Sequence, residues 1–263
     1  MKDVQSHPDF RNIPLQEAGI TNLSYPIVIL DKEETRQNTV ASITMSVNLP
    51  HHFKGTHMSR FIEVLTQVGC EFTGSSIPQV LKLLKETLAA ESAKISIEFP
   101  YFLTRKAPVS RASAKLGYLC TFTGESNGDS EDFLLSVKVP VSTLCPCSKE
   151  ISEYGAHNQR GYITIDVRTM RNPDGSFVLV WIEELIDIAE SSASTPVYTI
   201  LKRPDEKYVT EQAYNNPVFV EDIVRNVAEK LRSDSRITSF RVQAENHESI
   251  HNHNAYAVVS WTR

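Results

Sequence analysis

Side chains that can bind metals or move protons concentrate in polar stretches of the second half of the chain. The richest stretch, Leu144–Arg160, reads Leu-Cys-Pro-Cys-Ser-Lys-Glu-Ile-Ser-Glu-Tyr-Gly-Ala-His-Asn-Gln-Arg. Its Cys145, Cys147 and His157 are of the types that bind zinc and similar metals. Structural zinc sites usually present CxxC pairs, whereas this pair is CxC and no second pair follows. The pattern predicts an open metal site with one thiolate ligand, which leaves room for water and for chemistry.

The same run permits two other interpretations. A disulfide between Cys145 and Cys147 would close a small, strained ring, so a stable structural bridge is disfavoured. A cysteine nucleophile is chemically sound, because an adjacent imidazole activates a thiol. From the run alone, the metal site is the favoured interpretation of the three, and the other two stay open.

Three further positions in this half carry acids or histidines. Glu245–His253 holds three histidines and two glutamates between predicted strands, which fits either a proton-transfer pair or a solvated hairpin tip. Glu221 lies early in a predicted helix, where the helix dipole favours a carboxylate and a ligand's N–H edge could also be accepted. Arg203–Lys207 lies within a long predicted loop, Thr195–Asn215, and loops of that length are often functional.

Hydrophobic periodicity predicts the elements that position these residues. The order strand-strand-helix-helix-strand-strand occurs twice, which predicts an α+β fold with antiparallel sheets. We expect an irregular arm at 1–24, a first module at 25–127, and a second module at 128–263 that carries most of the site. In the second module, Asn216 is the predicted cap of a helix running from Pro217 to Arg232.

The composition excludes several classes of protein. The 263 residues are 41% hydrophobic with a formal net charge of -5, typical of a globular chain and unfavourable for nucleic-acid binding. A polar start and the lack of an apolar run of roughly 20 residues argue against a signal peptide and a membrane span. Cys70 and Cys120 lie in apolar contexts and are predicted to be buried, inert thiols. This cysteine usage favours the cytoplasm.

Five segments resemble the signatures of the type IB GTP cyclohydrolases, and the resemblance spans nearly the whole chain. They are residues 54–61, 144–160, 197–211, 216–222 and 245–251. The resemblance implies a tandem tunnelling fold of two ββααββ modules, assembled as a homotetramer with active sites at subunit interfaces. It also implies conversion of GTP and water to formate and 7,8-dihydroneopterin triphosphate, the entry step to folate-type pterins and, in some bacteria, to queuosine-type bases.

The resemblance further implies a divalent metal (Zn, Mn or Fe(II)) and no organic cofactor. Its metal ligands match Cys145, His157 and the loop residue Glu206, with Glu190 and Glu211 as nearby alternatives. Besides Cys145, the implied catalytic residues are Glu248 and His251. His251, oriented by Glu248, would protonate ring nitrogens as the C–N bonds break.

The implied substrate contacts begin with Glu221, which matches the carboxylate that anchors the guanine edge. Charge and position make further basic residues candidates for the triphosphate. These candidates are Lys149, Arg160, Lys202 and Arg203 in the second half, and Lys54, His57 and Arg60 from another subunit.

Two other functions stay open at this point. The first is a tunnelling-fold thiol enzyme of queuosine synthesis, an NADPH-dependent nitrile reductase in which Cys145 or Cys147 would be the nucleophile. The second is a non-catalytic purine-binding module with a structural metal. His157 and the pair Glu248 and His251 favour the cyclohydrolase, whose product could be the linear triphosphate or a cyclic phosphate.

Overall fold

Long antiparallel strands and short helices follow one another in the predicted order. The computed structural model describes residue 5, residues 7–128 and residues 130–263. Its elements are β1 Leu15–Asp31, β2 Thr35–Leu49, α1 Ser59–Val68, α2 Ile77–Leu88, β3 Ser92–Lys106, β4 Ser113–Asn127, β5 Ser130–Leu144, α3 Pro146–Ile151, β6 Asn158–Thr169, α4 Ile182–Glu190, β7 Thr195–Pro196, α5 Arg203–Asn215, α6 Val220–Ser233, β8 Ile237–Asn246 and β9 Ala255–Thr262. The twofold ββααββ order is confirmed, and α3, β7 and α5 are added to its second round.

The first of two compact units comprises the chain up to Pro100, Thr121–Leu135 and Arg171–Val178. Its strands follow the order β1-β2-β3-β4-β5. Helices α1 and α2 contact each other and bury apolar stripes. A Cβ added at Gly124 of β4 would lie 2.2 Å from the Ile77 side chain, so only glycine permits this approach of strand and helix.

The second unit comprises Tyr101–Cys120, Ser136–Met170 and Leu179–Arg263. Its strands follow the order β3-β4-β5-β6-β8-β9, and β7 pairs with β5. Helix α6 contacts β8 and β9 and buries the stripe Val220, Ile223, Val224, Val227, Ala228 and Leu231. This packing fixes the first turn of α6 within the unit that also carries the β8–β9 loop. Among the described residues, no helix combines the length and apolar character that a membrane span requires.

The N-terminal segment differs from the prediction of an irregular arm over residues 1–24. Strand β1 begins at Leu15 and pairs with β2 over almost its whole length. Most of its first ten side chains are exposed, and the register shifts between Ile20 and Leu23, beside the positive φ of 57° at Asn22. Exposure and this irregularity remove the period-two apolar signal that predicts a strand. Residues 1–4 and 6 of the predicted arm lie outside the described residues.

The predicted long loop Thr195–Asn215 is also wrong, because helix α5 occupies most of it. Only Asp205 and Ala213 of this helix are buried, so it shows no apolar stripe. Its first turn is held by the carboxylate of Asp205, which accepts a hydrogen bond from the backbone N–H of Lys202 at 2.8 Å. A helix held by one buried acid instead of an apolar face escapes a periodicity analysis.

Two smaller predictions are corrected. Helix α6 begins at Val220, not Pro217, because Asp222 Oδ2 accepts the Phe219 N–H at 3.2 Å and so caps a later first turn. Cys70 is exposed, whereas Cys120 is buried as predicted. Burial raises the pKa of the Cys120 thiol above its ordinary value, which agrees with an inert role.

Candidate active site

A pocket of about 310 Å³ lies in the second unit, where the start of α3, the start of β6, the first turn of α6 and the β8–β9 loop come together. Five residues singled out from the sequence line it: Cys145, His157, Glu221, Glu248 and His251. These residues are up to 106 positions apart in sequence, from Cys145 to His251. The fold therefore brings the thiol, the two histidine-bearing segments and the helix carboxylate to one cavity.

Cys145 is held at the N-terminus of the short helix α3. Pro146 occupies the first turn, and the Cys145 Sγ accepts a hydrogen bond from the Ser148 N–H at 3.4 Å. The Ser148 hydroxyl donates to the Cys145 carbonyl and accepts from the His157 N–H, both at 3.2 Å. The Cys145 N–H also donates to the His157 carbonyl at 3.1 Å. The thiol and the imidazole are therefore linked through backbone and Ser148, not through their side chains.

The imidazole of His157 has a defined orientation. Its Nδ1 lies 2.9 Å from Gln159 Oε1, while the Gln159 amide donates from Nε2 to the Thr143 hydroxyl at 2.9 Å. Because the amide nitrogen faces Thr143, its oxygen faces the ring, and a proton on Nδ1 satisfies this contact. The Ser249 hydroxyl also lies 3.4 Å from Nδ1. The Nε2 lone pair of His157 is then available to a ligand. Histidines that bind metals commonly donate their other N–H to such an acceptor.

The donors at Cys145 and His157 therefore fit a zinc-type ion, with one sulfur, one imidazole nitrogen and a fixed tautomer. Within the described ranges, no group of three or more His, Cys, Asp or Glu side chains is close enough to hold a metal by itself. A metal bound here would need a further ligand that comes into place with substrate, water or another chain.

Glu206, the predicted third ligand, is exposed in the first turn of α5 and does not line the pocket. Its neighbour Asp205 is fully buried and accepts hydrogen bonds from the backbone N–H groups of Val109 and Ser110, both at 2.8 Å, and from the Ser110 hydroxyl at 2.6 Å. Asp205 thus fixes the turn from which Glu206 projects.

The two alternatives to Glu206 are engaged elsewhere. Glu190 accepts a hydrogen bond from the Tyr118 hydroxyl at 2.7 Å and pairs with Arg105 at 2.8 Å. Burial raises the pKa of the Glu190 carboxyl group above its ordinary value, despite these two partners. Glu211 pairs with Lys207 one turn earlier in α5, at 3.6 Å. Neither lines the pocket, so their contacts favour structural roles.

The α6 side of the pocket combines one carboxylate with an apolar wall. Glu221 is exposed in the first turn, next to Val220, and Val218 and Phe219 continue the lining just before the helix. The Val218 N–H donates to the Leu144 carbonyl at 3.3 Å, which ties this wall to the residue before Cys145. An acceptor beside a flat apolar wall suits the N–H edge of a planar heterocycle.

The β8–β9 loop supplies the remaining side. Its start is tied down by the His247 N–H, which donates to the Arg160 carbonyl at 2.9 Å, and its end by Asn254, which donates to Glu245 at 2.7 Å. The rings of His251 and His253 stack with centroids 5.1 Å apart. Over the described part of the chain, His251 has no hydrogen bond to Glu248, although both line the pocket.

Four of the seven basic candidates for triphosphate binding belong to the second unit, and none of these four lines the pocket. The Lys149 ammonium group stacks on the Tyr214 ring, 4.3 Å from its centroid, and donates to the Tyr214 carbonyl. The side chains of Arg160, Lys202 and Arg203 are exposed, at the start of β6 and around the start of α5. The other three, Lys54, His57 and Arg60, belong to the first unit, before and at the start of α1.

Three polar residues of the pocket were not among the predicted site residues: Gln159, Asn246 and His253. Gln159 follows His157 by two positions, and strand alternation places such residues on one face, so the signal was present. Asn246 and His253 stand inside the Glu245–His253 motif, but their types gave no reason to prefer them. No feature of the sequence pointed to Ser148, which links Cys145 to His157.

Solved structures with the same architecture define the class of fold. The urate oxidase of Bacillus sp. TB-90 matches with a TM-score of 0.55 and 11% identity, over 95% of this chain and all of that one. A uricase from Bacillus fastidious matches with a TM-score of 0.57 and 8% identity, over 94% and 93% of the two chains. At such identities the likeness concerns the fold alone. The chain is a tunnelling-fold protein, as predicted.

Sequence relatives then identify the family. Residues 1–257 match the family described as type I GTP cyclohydrolase folE2. The GTP cyclohydrolase FolE2 of Thermosipho africanus is 52% identical over 260 residues, which is 99% of this chain and 98% of that protein. The FolE2 of Citrifermentans bemidjiense is 51% identical over 263 residues, 100% and 96% of the two. The chain belongs to the FolE2 family of type I GTP cyclohydrolases, which confirms the resemblance drawn from its motifs.

Proposed function

We propose that this protein is a metal-dependent GTP cyclohydrolase that converts GTP and water to formate and 7,8-dihydroneopterin triphosphate. The family supports the reaction. The single observation that carries the assignment of roles is the pocket lined by Cys145, His157, Glu221, Glu248 and His251. It combines a soft donor pair, a guanine-type anchor and an acid–imidazole pair in one cavity.

In this proposal Cys145 and His157 hold a divalent ion of the Zn, Mn or Fe(II) type. Such an ion would supply Lewis acidity, which would lower the pKa of a water molecule for attack on the purine ring. Gln159 keeps His157 in the tautomer that binds through Nε2. Glu206 is the proposed further ligand. Its exposure on α5 suits a pocket that is completed in the homotetramer, at an interface between subunits.

The remaining side chains act on the substrate directly. The Glu221 carboxylate accepts the N1–H and one N2–H of guanine as a bidentate pair, beside the wall of Val218 and Phe219. His251 donates protons to the imidazole-ring nitrogens as the C–N bonds at C8 break and formate leaves. Glu248, which lines the same pocket, orients the ring of His251 for this transfer.

The triphosphate requires cations, because the chain itself carries a formal net charge of -5. We assign this role to the exposed basic residues near the motifs of the second unit and to basic residues of a neighbouring subunit. They are Lys149, Arg160, Lys202 and Arg203, and Lys54, His57 and Arg60.

The test follows GTP conversion by pterin fluorescence and by formate release. The purified protein is first treated with a chelator, then single metals are restored one at a time. We expect turnover to vanish on chelation and to return with one or more divalent ions. Turnover that survives chelation would contradict the metal role. GTP binding without formate release would support a non-catalytic binding module, and nitrile reduction with NADPH would support a thiol enzyme.

A further inference from the structure

Asn246 is a buried amide at the inner end of the pocket that has no role in the scheme above. It is the last residue of β8, paired with Gly161 of β6 on one side and with Ala255 of β9 on the other. It lines the pocket, yet the residue is only 4% exposed. Its Oδ1 atom is enclosed and lacks a hydrogen-bond partner among the described residues. Its Nδ2 atom also makes no hydrogen bond among the described residues, but it is not enclosed, so it is the end of the amide that a ligand can reach.

The amide oxygen of Asn246 lies against Gly161 of the neighbouring strand. A Cβ built on Gly161 would lie 2.6 Å from Asn246 Oδ1, so the oxygen points at β6 and fills the space that glycine leaves. Nδ2 is the other end of the amide, and it is the end that keeps solvent access in a residue that lines the pocket. The other buried amide of the lining, Gln159, is bonded at both ends within the protein. Asn246 therefore presents a donor to whatever occupies the cavity.

The guanine edge has a matching requirement, which rests on the proposed function. A carboxylate such as Glu221 can only accept hydrogen bonds, so it satisfies N1–H and N2–H but not the O6 atom beside N1. O6 is an acceptor and needs a donor from a different residue. Adenine would present an amino group at position 6 and a bare N1, which reverses both requirements.

We propose that Asn246 Nδ2 donates a hydrogen bond to O6 of the bound guanine. Asn246 is then a specificity-determining residue, and with Glu221 it selects 6-oxopurine over 6-aminopurine nucleotides. Gly161 contributes to the same recognition, because a side chain at this position would displace the Asn246 amide oxygen.

The test compares GTP with 6-thio-GTP, in which a sulfur atom, a weaker acceptor, replaces O6. Steady-state kcat and KM are measured for the wild type and for Asn246→Leu, which keeps the volume and removes the donor. We expect Asn246→Leu to lower kcat/KM for GTP by about 10- to 100-fold, mostly through KM, and for 6-thio-GTP by less than about 3-fold. Asn254→Leu, in the same hairpin but outside the pocket lining, is the matched control and should affect both nucleotides equally.

Two results would overturn the proposal. One is an Asn246→Leu enzyme that keeps the wild-type kcat/KM for GTP. The other is an Asn246→Leu enzyme whose kcat/KM falls by the same factor for GTP and for 6-thio-GTP. If the leucine variant does not fold, Asn246→Asp replaces it. That variant places a second acceptor opposite O6, so its kcat/KM for GTP should fall at least as far as that of the leucine variant. The same pairs are also compared by calorimetric binding in chelator. A wild type that binds GTP but forms no pterin after metal is restored would refute the proposed reaction, while the binding comparison would still decide the role of Asn246.

Discussion

Gln159 Oε1 lies 2.9 Å from His157 Nδ1, and the same amide is fixed at its other end by the Thr143 hydroxyl. Thr143 is fully buried and Gln159 nearly so. A rigid acceptor behind the ring determines both its tautomer and its direction. In the proposed metal site, the affinity of His157 for the ion should therefore depend on a residue that does not contact the ion.

We predict that Gln159→Leu weakens metal binding by about 10- to 100-fold, because His157 Nδ1 loses its nearer acceptor and keeps only the more distant Ser249 hydroxyl, at 3.4 Å, among the described residues. Competition with a chelator measures the affinity, and a thermal midpoint checks the fold. Gln159→Glu keeps an acceptor for Nδ1 and should bind metal within a few-fold of the wild type. Unchanged affinity in the leucine variant would show that the ring needs no such support.

The two cysteines of the CxC pair should behave differently. Cys145 lines the pocket at the N-terminus of α3, whereas Cys147 is exposed and is not part of the lining. We expect Cys145→Ala to lower pterin formation by at least about 100-fold, since the ion loses its thiolate ligand. Cys147→Ser should retain activity within about 3-fold. Equal losses in the two variants, measured with the same restored metal, would refute a single-thiolate site.

Adjacent acids at the start of α6 provide a second matched pair. Glu221→Gln replaces one acceptor of the bidentate pair with a donor, so we expect kcat/KM for GTP to fall by about 100-fold or more. Asp222 instead caps the helix through the Phe219 N–H. Asp222→Ala should lower the free energy of unfolding by about 1 kcal/mol while leaving kcat/KM near the wild-type value. The reverse pattern would indicate that Asp222, and not Glu221, binds the N–H edge of guanine.

Asp205 should make stability depend on pH. Burial by itself would raise the pKa of its carboxyl group, but hydrogen bonds from Ser110 and from backbone N–H groups outweigh that effect and hold the pKa well below the ordinary value of 3.8. A folded-state pKa below the unfolded one stabilises the protein above the unfolded pKa, and this contribution is lost as the pH falls towards the folded pKa.

Asp205→Asn should therefore lower the thermal midpoint at pH 5 to 7, and its difference from the wild type should shrink as the pH falls below about 4. Thermal unfolding at a series of pH values measures this. Glu206→Gln, on the next and exposed residue, is the control and should leave the midpoint unchanged. A gap between Asp205→Asn and the wild type that stays constant down to pH 2 would exclude the carboxylate as its cause.

The sequence predicts well those elements that carry an apolar pattern. Helix α6 has such a stripe, and its existence was predicted although its first turn was not. Helix α5 has none, because one buried acid anchors it to the turn at Val109 and Ser110. The anchor joins positions nearly a hundred residues apart, and no local pattern reveals such a pair.

The candidate site likewise contains residues that the sequence identifies and residues that only the fold reveals. Its five predicted residues stand in motifs long enough to be recognised. Asn246 becomes informative only through its register partner Gly161, which is a property of the paired strands and not of either segment alone. The role of Ser148 similarly depends on the fold of the run that contains it.

The links between Cys145, Ser148 and His157 join residues of one short, continuous segment, so closing that segment costs little chain entropy. Contacts of such small sequence separation can form early in folding, before β6 finds β8 or α6 packs on the sheet. The donor pair could therefore capture an ion while the guanine side is still unformed. Metal added during refolding would then accelerate the process as well as stabilise its product.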